Sequence, residues 1–495
     1  MDENYRHIVR WVSTAAFWSY AGVFIDRIIR FLVFLVVARL ISPPQFGLVL
    51  LSLLVVELLQ AFLDAGLSTA LIQQSSLSKA TLDTAFLIAV AVSLVTTCVL
   101  LWSAQHLANF TNDPAPVPFL RVLALVPVIN GAGAVHVAII HREVRFKTLA
   151  GRTAISSIVA SASAVIMAFA GFGAWALVGR TLLAALFGTV VAWCSTSYRP
   201  AMQFEIGSIR PVLPAAARLW STSVANQINS RGFDLLAALF LGIDALGALR
   251  IAGQVVMLLV DVTIGPMTAV GYSILSRTQN DRKVFEETLL VIANCAALLI
   301  FPAFFGLLIT GDVLLPLMFG SRWEPAAQII PYMSAVGPAL YWYLVVSVAL
   351  FASGRMDRML HWALLESGLT VIFGVIAGAS FGLTGLAAAG VLRLYVMTPL
   401  GWRWLKRDVG VNPAKLVRNA IPAALASVIM AVIVELTRIS LARTLNPPML
   451  IVSLITVGVV AYALLLPWSA RRLFTELSEQ AQLLGSRKWS SARKM

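Results

Sequence analysis

Ionisable side chains sit inside several of the longest apolar stretches of this 495-residue chain. Asp26, Arg27 and Arg30 fall in one stretch, and Glu57, Gln60 and Asp64 in the next. Ser223, Asn226, Gln227, Ser230, Arg231 and Asp234 share a third, and Arg250 and Asp261 a fourth. A charge at the bilayer centre costs about 2.5–3.5 kcal/mol on insertion scales, so it is normally turned towards a partner or a wet cavity. Asp26 and Arg30 stand four apart and can pair along one helical face, which turns Arg27 elsewhere. Glu57, Gln60 and Asp64 lie on one stripe, as do Ser223, Asn226, Ser230 and Asp234, with Gln227 and Arg231 beside them. Every basic residue in these stretches is Arg, whose planar fork suits two-point acceptors better than Lys does. Two uses of such a set stay open: the lining of a shared polar cavity, or internal ion pairs that hold the helices together.

On the cavity reading, Arg27, Arg30, Asn226, Gln227, Arg231 and Arg250 are the substrate-binding candidates. Asp26, Glu57, Asp64, Asp234 and Asp261 are then cavity acids, available to a coupling proton or sodium ion. No catalytic residue, metal site or cofactor is expected. His106, His136, His141 and His361 are scattered over different segments and read as interfacial or structural. Cys98, Cys194 and Cys295 occur singly in separate apolar segments and read as buried small hydrophobes, not as metal ligands or disulfides. No GxxxxGK[ST] phosphate loop occurs, and no polar segment is long enough for an ATPase domain.

The elements that must position these residues are membrane helices. The chain is 59% hydrophobic and 12% charged, against about 25% charged residues in a soluble domain. Its apolar residues come in runs such as Ala85 to Trp102 and Met449 to Leu466, long enough to span the hydrocarbon core as helix. Alternating strand patterns are absent, which excludes a β-barrel. The first apolar segment is too long for a cleaved signal peptide. The runs predict about 14 transmembrane helices over 14–41, 46–72, 82–104, 117–140, 152–170, 173–195, 213–241, 246–275, 285–309, 326–353, 359–379, 382–402, 416–437 and 448–468. The fold class expected is therefore an all-α polytopic membrane protein.

The formal charge of +14 does not point to nucleic acid, because its distribution follows the loops. With the N-terminus placed inside, about 26 basic residues fall in inner loops and tails and about four outside, a strong positive-inside bias. Both termini are expected in the cytoplasm. In the tail, Leu473, Phe474, Leu477, Ala481 and Leu484 recur at helical spacing beside basic residues. That pattern fits either a short helix on the anionic leaflet or a solvated tail.

The second half of the chain echoes the first. Phe46-Gly47 answers Leu246-Gly247, His141 to Phe146 answers Ser353 to Arg358, and Phe172-Gly173 answers Phe381-Gly382. Six helices per copy put both copies in the membrane in the same sense, related by an axis along the membrane normal. The expected division is an N-terminal lobe over 1–195, a cytoplasmic linker over 196–212, a C-terminal lobe over 213–404, two extra helices over 405–468 and a basic tail over 469–495.

Ala38-Arg39-Leu40-Ile41-Ser42-Pro43 with Phe46-Gly47, followed by Asp64-Ala65-Gly66-Leu67, resembles the opening of the polysaccharide transporter family, the Wzx-like O-antigen and exopolysaccharide flippases of the MOP superfamily. The likeness continues through His141 to Phe146, Gly171 to Leu177 and Phe319 to Pro325. It implies two six-helix lobes in a V around a central cavity. The implied cargo is an oligosaccharide on undecaprenyl diphosphate, turned from the cytoplasmic to the periplasmic leaflet of the inner membrane for polysaccharide assembly. Two phosphoryl groups would suit the forked arginines. The chain departs from the family at Pro44, where an acidic residue is usual, and over Ala245 to Gly253. Implied partners are the lipid-linked oligosaccharide, membrane lipids, a proton or sodium ion, and a polymerase with other assembly proteins; a monomer is the expected state. The competing readings are a drug/cation antiporter of the same superfamily, which would need an acidic cavity poor in bases, and a polymerase or glycosyltransferase acting on lipid-linked sugar. Such an enzyme would need a larger outer loop or a His/Asp cluster.

Overall fold

A computed structural model of the chain describes residues 27–469, apart from 64–70, 73–77, 112, 144, 202, 211, 279 and 280. Asp26, Asp64, the Asp64 to Leu67 motif and the tail pattern beyond Ser469 therefore lie outside the described residues. All the regular structure among the described residues is helical. In chain order the helices are α1 (described over 27–40), α2 (Pro43–Leu63), α3 (Lys79–Thr111), α4 (Pro116–Leu123), α5 (Leu125–Arg142), α6 (Phe146–Phe169), α7 (Trp175–Cys194), α8 (Ile206–Ile209) and α9 (Leu213–Leu241). They continue as α10 (Ile243–Leu275), α11 (Arg282–Phe319), α12 (Glu324–Ser334), α13 (Gly337–Ala352), α14 (Met356–Ser380), α15 (Gly382–Trp404), α16 (Pro413–Leu441) and α17 (Pro447–Ser469).

Among the described residues, 11 helices are long and apolar enough to cross a membrane, and the pair α12–α13, bent by 50°, makes a twelfth span. The first expected span is described only from residue 27. Helix α9 forms over 29 residues but falls outside that apolar set, because Ser223, Asn226, Gln227, Ser230, Arg231 and Asp234 interrupt it. Cys98 and Cys194 are exposed and Cys295 is half-buried, which corrects the expectation of buried cysteines. On a helix that faces lipid the acyl chains, not the protein core, supply the apolar surroundings such a side chain prefers.

Proline and glycine set the breaks, and they do so alike in the two halves. Pro127 has no N–H to give the carbonyl of Leu123, and α4 ends at Leu123. Pro338 likewise leaves Ser334 without its donor, and α12 ends at Ser334. The turn into α7 runs through Gly173 at φ 55°, and the turn into α15 through Gly382 at φ 62°. Both take a left-handed conformation that a Cβ disfavours, each just after an exposed Phe, Phe172 and Phe381. The match of Phe172-Gly173 to Phe381-Gly382 is thus a match of backbone conformation too.

The chain forms two compact units, one of residues 1–254 with 363–386, the other of 255–362 with 387–495. In the first, α3, α5, α6 and α7 pack as a bundle and α9 packs on α2. Gly47 on α2 lets the start of α10 approach, since a Cβ there would lie 2.6 Å from the carbonyl oxygen of Ile243. On its other side α9 is held by α14: Asn229 donates to the carbonyl of Ala363 at 3.2 Å, and Ser367 to that of Ala225 at 3.0 Å. In the second unit α11 is the axis, packed by α12, α13, α16 and α17. Met430, Val434, Leu450, Leu454 and Ala461 form the core of the two added helices.

Candidate functional site

Four of the charges singled out in the sequence meet in the first unit. Helix α2 presents Glu57, α9 presents Arg231 and Asp234, and α10 presents Arg250. Arg231 Nε lies 2.8 Å from Glu57 Oε2, and its Nη1 lies 3.5 Å from Asp234 Oδ2. Arg250 Nη2 lies 3.2 Å from the same Glu57 oxygen, and its Nε lies 2.6 Å from Asp234 Oδ2. Two cations and two anions make the network neutral, which is how charge is carried through an apolar region.

The network is asymmetric in burial. Arg250 and Asp234 form its inner half, with side chains only 9% and 10% exposed. Arg231 and Glu57 form its outer half, at 30% and 34%. The inner pair is positioned by helices that cannot separate without leaving a buried charge alone. The outer pair is open to exchange with another anion or cation.

Beside the network runs the polar face of α9. Asn229, Ala225 and Gly232 point into the packing against α14. The opposite face carries Ser223, Asn226 and Ser230, all exposed, and Gln227, half-buried. Hydroxyls and amides gain nothing from acyl chains, so an exposed row of them on a membrane helix marks a water-facing surface.

Arg27 and Arg30 are exposed on α1. Asp261 is half-buried and belongs to the part of α10 in the second unit. Glu57, Arg231, Asp234 and Arg250 are ion-paired with one another, and Arg231 follows the exposed Ser230 on α9.

Other polar networks escaped the sequence reading. Asp83, fully buried on α3, accepts from the Tyr198 hydroxyl at 2.7 Å and from the backbone N–H of Ala201 at 3.2 Å. Thr84 accepts from the backbone N–H of Glu205 at 2.9 Å. These bonds strap the segment after α7 onto α3. Burial, reinforced by Asp83, pushes the Tyr198 hydroxyl up, so it stays protonated and donating. His136, fully buried, stacks on Trp193 at 4.2 Å, the structural role expected of it.

In the second unit Arg438 on α16 reaches both carboxylate oxygens of Asp312 on α11, at 3.0 and 2.9 Å, and lies 3.0 Å from Glu435. Asp408, in the π-helical turn Leu405–Val409, lies 2.8 Å from Arg358, and Glu286 lies 2.7 Å from Lys415. Both pairs join residues far apart in the chain, so spacing within one segment does not reveal them. Among the described residues no cluster of His, Cys, Asp and Glu could hold a metal ion.

The chain is similar to known proteins in sequence and in fold. Residues 36–328 match a family described as polysaccharide biosynthesis protein. The chain is 24% identical over 456 residues to the succinoglycan biosynthesis transport protein ExoT of Rhizobium meliloti (strain 1021), covering 84% of this chain and 91% of that one. It is 24% identical over 377 residues to the lipopolysaccharide biosynthesis protein WzxC of Escherichia coli (strain K12), covering 74% and 75%. Its fold is similar to that of the lipid II flippase MurJ in an inward closed conformation, with a TM-score of 0.76 at 17% identity, over 92% of this chain and 100% of that one. A multidrug resistance MATE family transporter of the MOP superfamily in an inward-facing conformation matches less well, with a TM-score of 0.58 at 15% identity over 78% and 94%. The all-helical MOP fold expected from the sequence is the fold observed.

Proposed function

Because the chain belongs to the polysaccharide biosynthesis protein family, we propose that it is an alternating-access flippase that moves undecaprenyl-diphosphate-linked oligosaccharide from the cytoplasmic to the periplasmic leaflet. It is a transporter and not an enzyme on this reading, a monomer in the bacterial inner membrane with both termini cytoplasmic. Its two lobes, 1–195 and 213–404, follow the internal duplication. A proton or sodium ion supplies the coupling, and a polymerase takes the delivered cargo.

The observation that carries the proposal is the sharing of Glu57 by Arg231 and Arg250. Before cargo arrives, one carboxylate occupies both guanidinium groups. A diphosphate offers the same planar acceptor geometry with more oxygens and more charge. It takes the place of Glu57 on Arg231, the more exposed arginine, while Asp234 keeps Arg250 in position. The neutral network thereby becomes a two-arginine clamp without any helix having to carry a bare cation in lipid. Arg27 and Arg30 of α1 contribute further positive charge to the same cargo.

The experiment is reconstitution in vesicles carrying lipid-linked oligosaccharide, with its exposure followed by an external lectin. Flipping that is lost in Arg231→Ala supports the proposal. Export of small organic cations with no movement of lipid-linked sugar would replace it with the antiporter reading.

A further inference from the structure

The exposed face of α9 carries more than the cluster of charges at Arg231. Trp220, Ser223, Asn226 and Ser230 follow one another at spacings of three and four along one side of the helix, with Gln227 beside them. Trp220 is 36% exposed, and Ser223, Asn226 and Ser230 are exposed as well. From Trp220 to Ser230 this face extends about 15 Å along the helix axis. No Asp, Glu, Lys or Arg falls between those two positions; the next residue, Arg231, is the first charge.

An aromatic ring followed by hydroxyls and amides, with no ionised group, is the chemistry that holds a neutral polyhydroxylated molecule. The ring covers an apolar sugar face, and the amide supplies donors and an acceptor for hydroxyls. The far side of α9 is fixed to α14 through Asn229, Ala225 and Ser367, so the row is presented by a helix that cannot rotate freely. The order along the helix also carries information: hydroxyl-binding groups come first, and the phosphate-binding arginine closes the row.

Resting on the flippase reading, we infer that this face is a sugar subsite, occupied by the uncharged oligosaccharide of the cargo. The reducing-end sugar sits beside Ser230 and Arg231, where the diphosphate is bound, and the glycan runs back along α9 towards Trp220. The row is long enough for more than one ring, so the subsite separates cargo by glycan length, whereas the arginines bind the part that every lipid-linked cargo shares.

The test compares two cargoes in the same vesicles: lipid-linked oligosaccharide extracted from the source cells, and that material trimmed enzymatically to its first sugar. The proteins are the wild type, the triple variant Trp220→Leu/Ser223→Ala/Asn226→Ala, and Arg231→Ala. The expected result is that the triple variant loses roughly three- to tenfold in flipping rate per removed hydrogen-bonding side chain for the full cargo. Its rate for the trimmed cargo is unchanged, and Arg231→Ala loses both. Equal losses for both cargoes, or none, would overturn the subsite and leave the flippase reading standing. A wild type that moves neither cargo would instead remove the flippase reading itself. Wild-type thermal stability in the triple variant separates loss of recognition from loss of fold; Asn226→Ala alone, at an exposed position, gives the same contrast on a smaller scale.

Discussion

Asp234 on α9 and Arg250 on α10 meet at 2.6 Å with almost no exposure, which makes them the inner anchor of the intramembrane network. Breaking a buried pair from one side leaves an unpaired charge and costs about 3–5 kcal/mol. Asp234→Ala should therefore lower the thermal midpoint of the purified protein strongly. Arg231→Ala, at an outer position, should lower it far less while abolishing flipping. A thermal-shift series on both variants, run beside the vesicle assay, separates anchor from ligand.

On the flippase proposal, Glu57, which pairs with both Arg231 and Arg250, competes with the cargo for them. Glu57→Gln removes the competing charge and leaves an amide of the same shape. Inorganic pyrophosphate should then bind severalfold more tightly than to the wild type, since a charge-assisted bond is about twice as strong as a neutral one. Calorimetry in detergent measures this directly, and unchanged affinity would mean that Glu57 is not the group displaced.

The strap onto α3 depends on the Tyr198 hydroxyl. Tyr198→Phe takes a donor from a buried carboxylate and should cost about 1.5–3 kcal/mol. The hydroxyl is pushed up from its ordinary value by burial, so folding favours its protonated form. The stabilisation is complete below about pH 10, where an unfolded tyrosine begins to ionise, and declines above that. The stability difference between wild type and variant should be flat through neutral pH and shrink only in alkali.

Arg438 ties α16 to α11 through Asp312. Both side chains are partly exposed, at 28% and 42%, so after allowance for solvent the tie contributes about 1 kcal/mol. Arg438→Ala should speed proteolysis between α16 and α17 with little effect on cargo binding, and a double-mutant cycle with Asp312→Ala should recover that coupling.

Much of this was legible in the residues. Runs of apolar residues, Pro43 and the glycines after Phe172 and Phe381 mark helices and breaks because their effects are local, whereas Pro127 and Pro338 divide the spans expected as single helices over 117–140 and 326–353. The concentration of charge in the segments that become α2, α9 and α10 was equally plain. Who pairs with whom was not. Asp234 could have turned towards any neighbour, and the choice of Arg250 depends on how α9 and α10 rotate against each other. Spacing along one helix cannot report that. Asp83 and Tyr198 were invisible for a related reason: each is unremarkable in its own segment, and they meet only when the chain after α7 folds back.

The polarity of α9 bears on how the protein is made. A segment so rich in Ser, Asn, Gln, Arg and Asp is a poor substrate for one-by-one partitioning from the translocon into lipid. Its companions settle the matter at different times: α2 has already left the ribosome, whereas the α14 residues from Ala363 onwards have not yet been synthesised. Helix α9 is therefore expected to stay at the insertion machinery, sheltered from lipid, until its later companion emerges. Biogenesis of this chain is then a step of assembly in which the least greasy helix enters the membrane as part of a group.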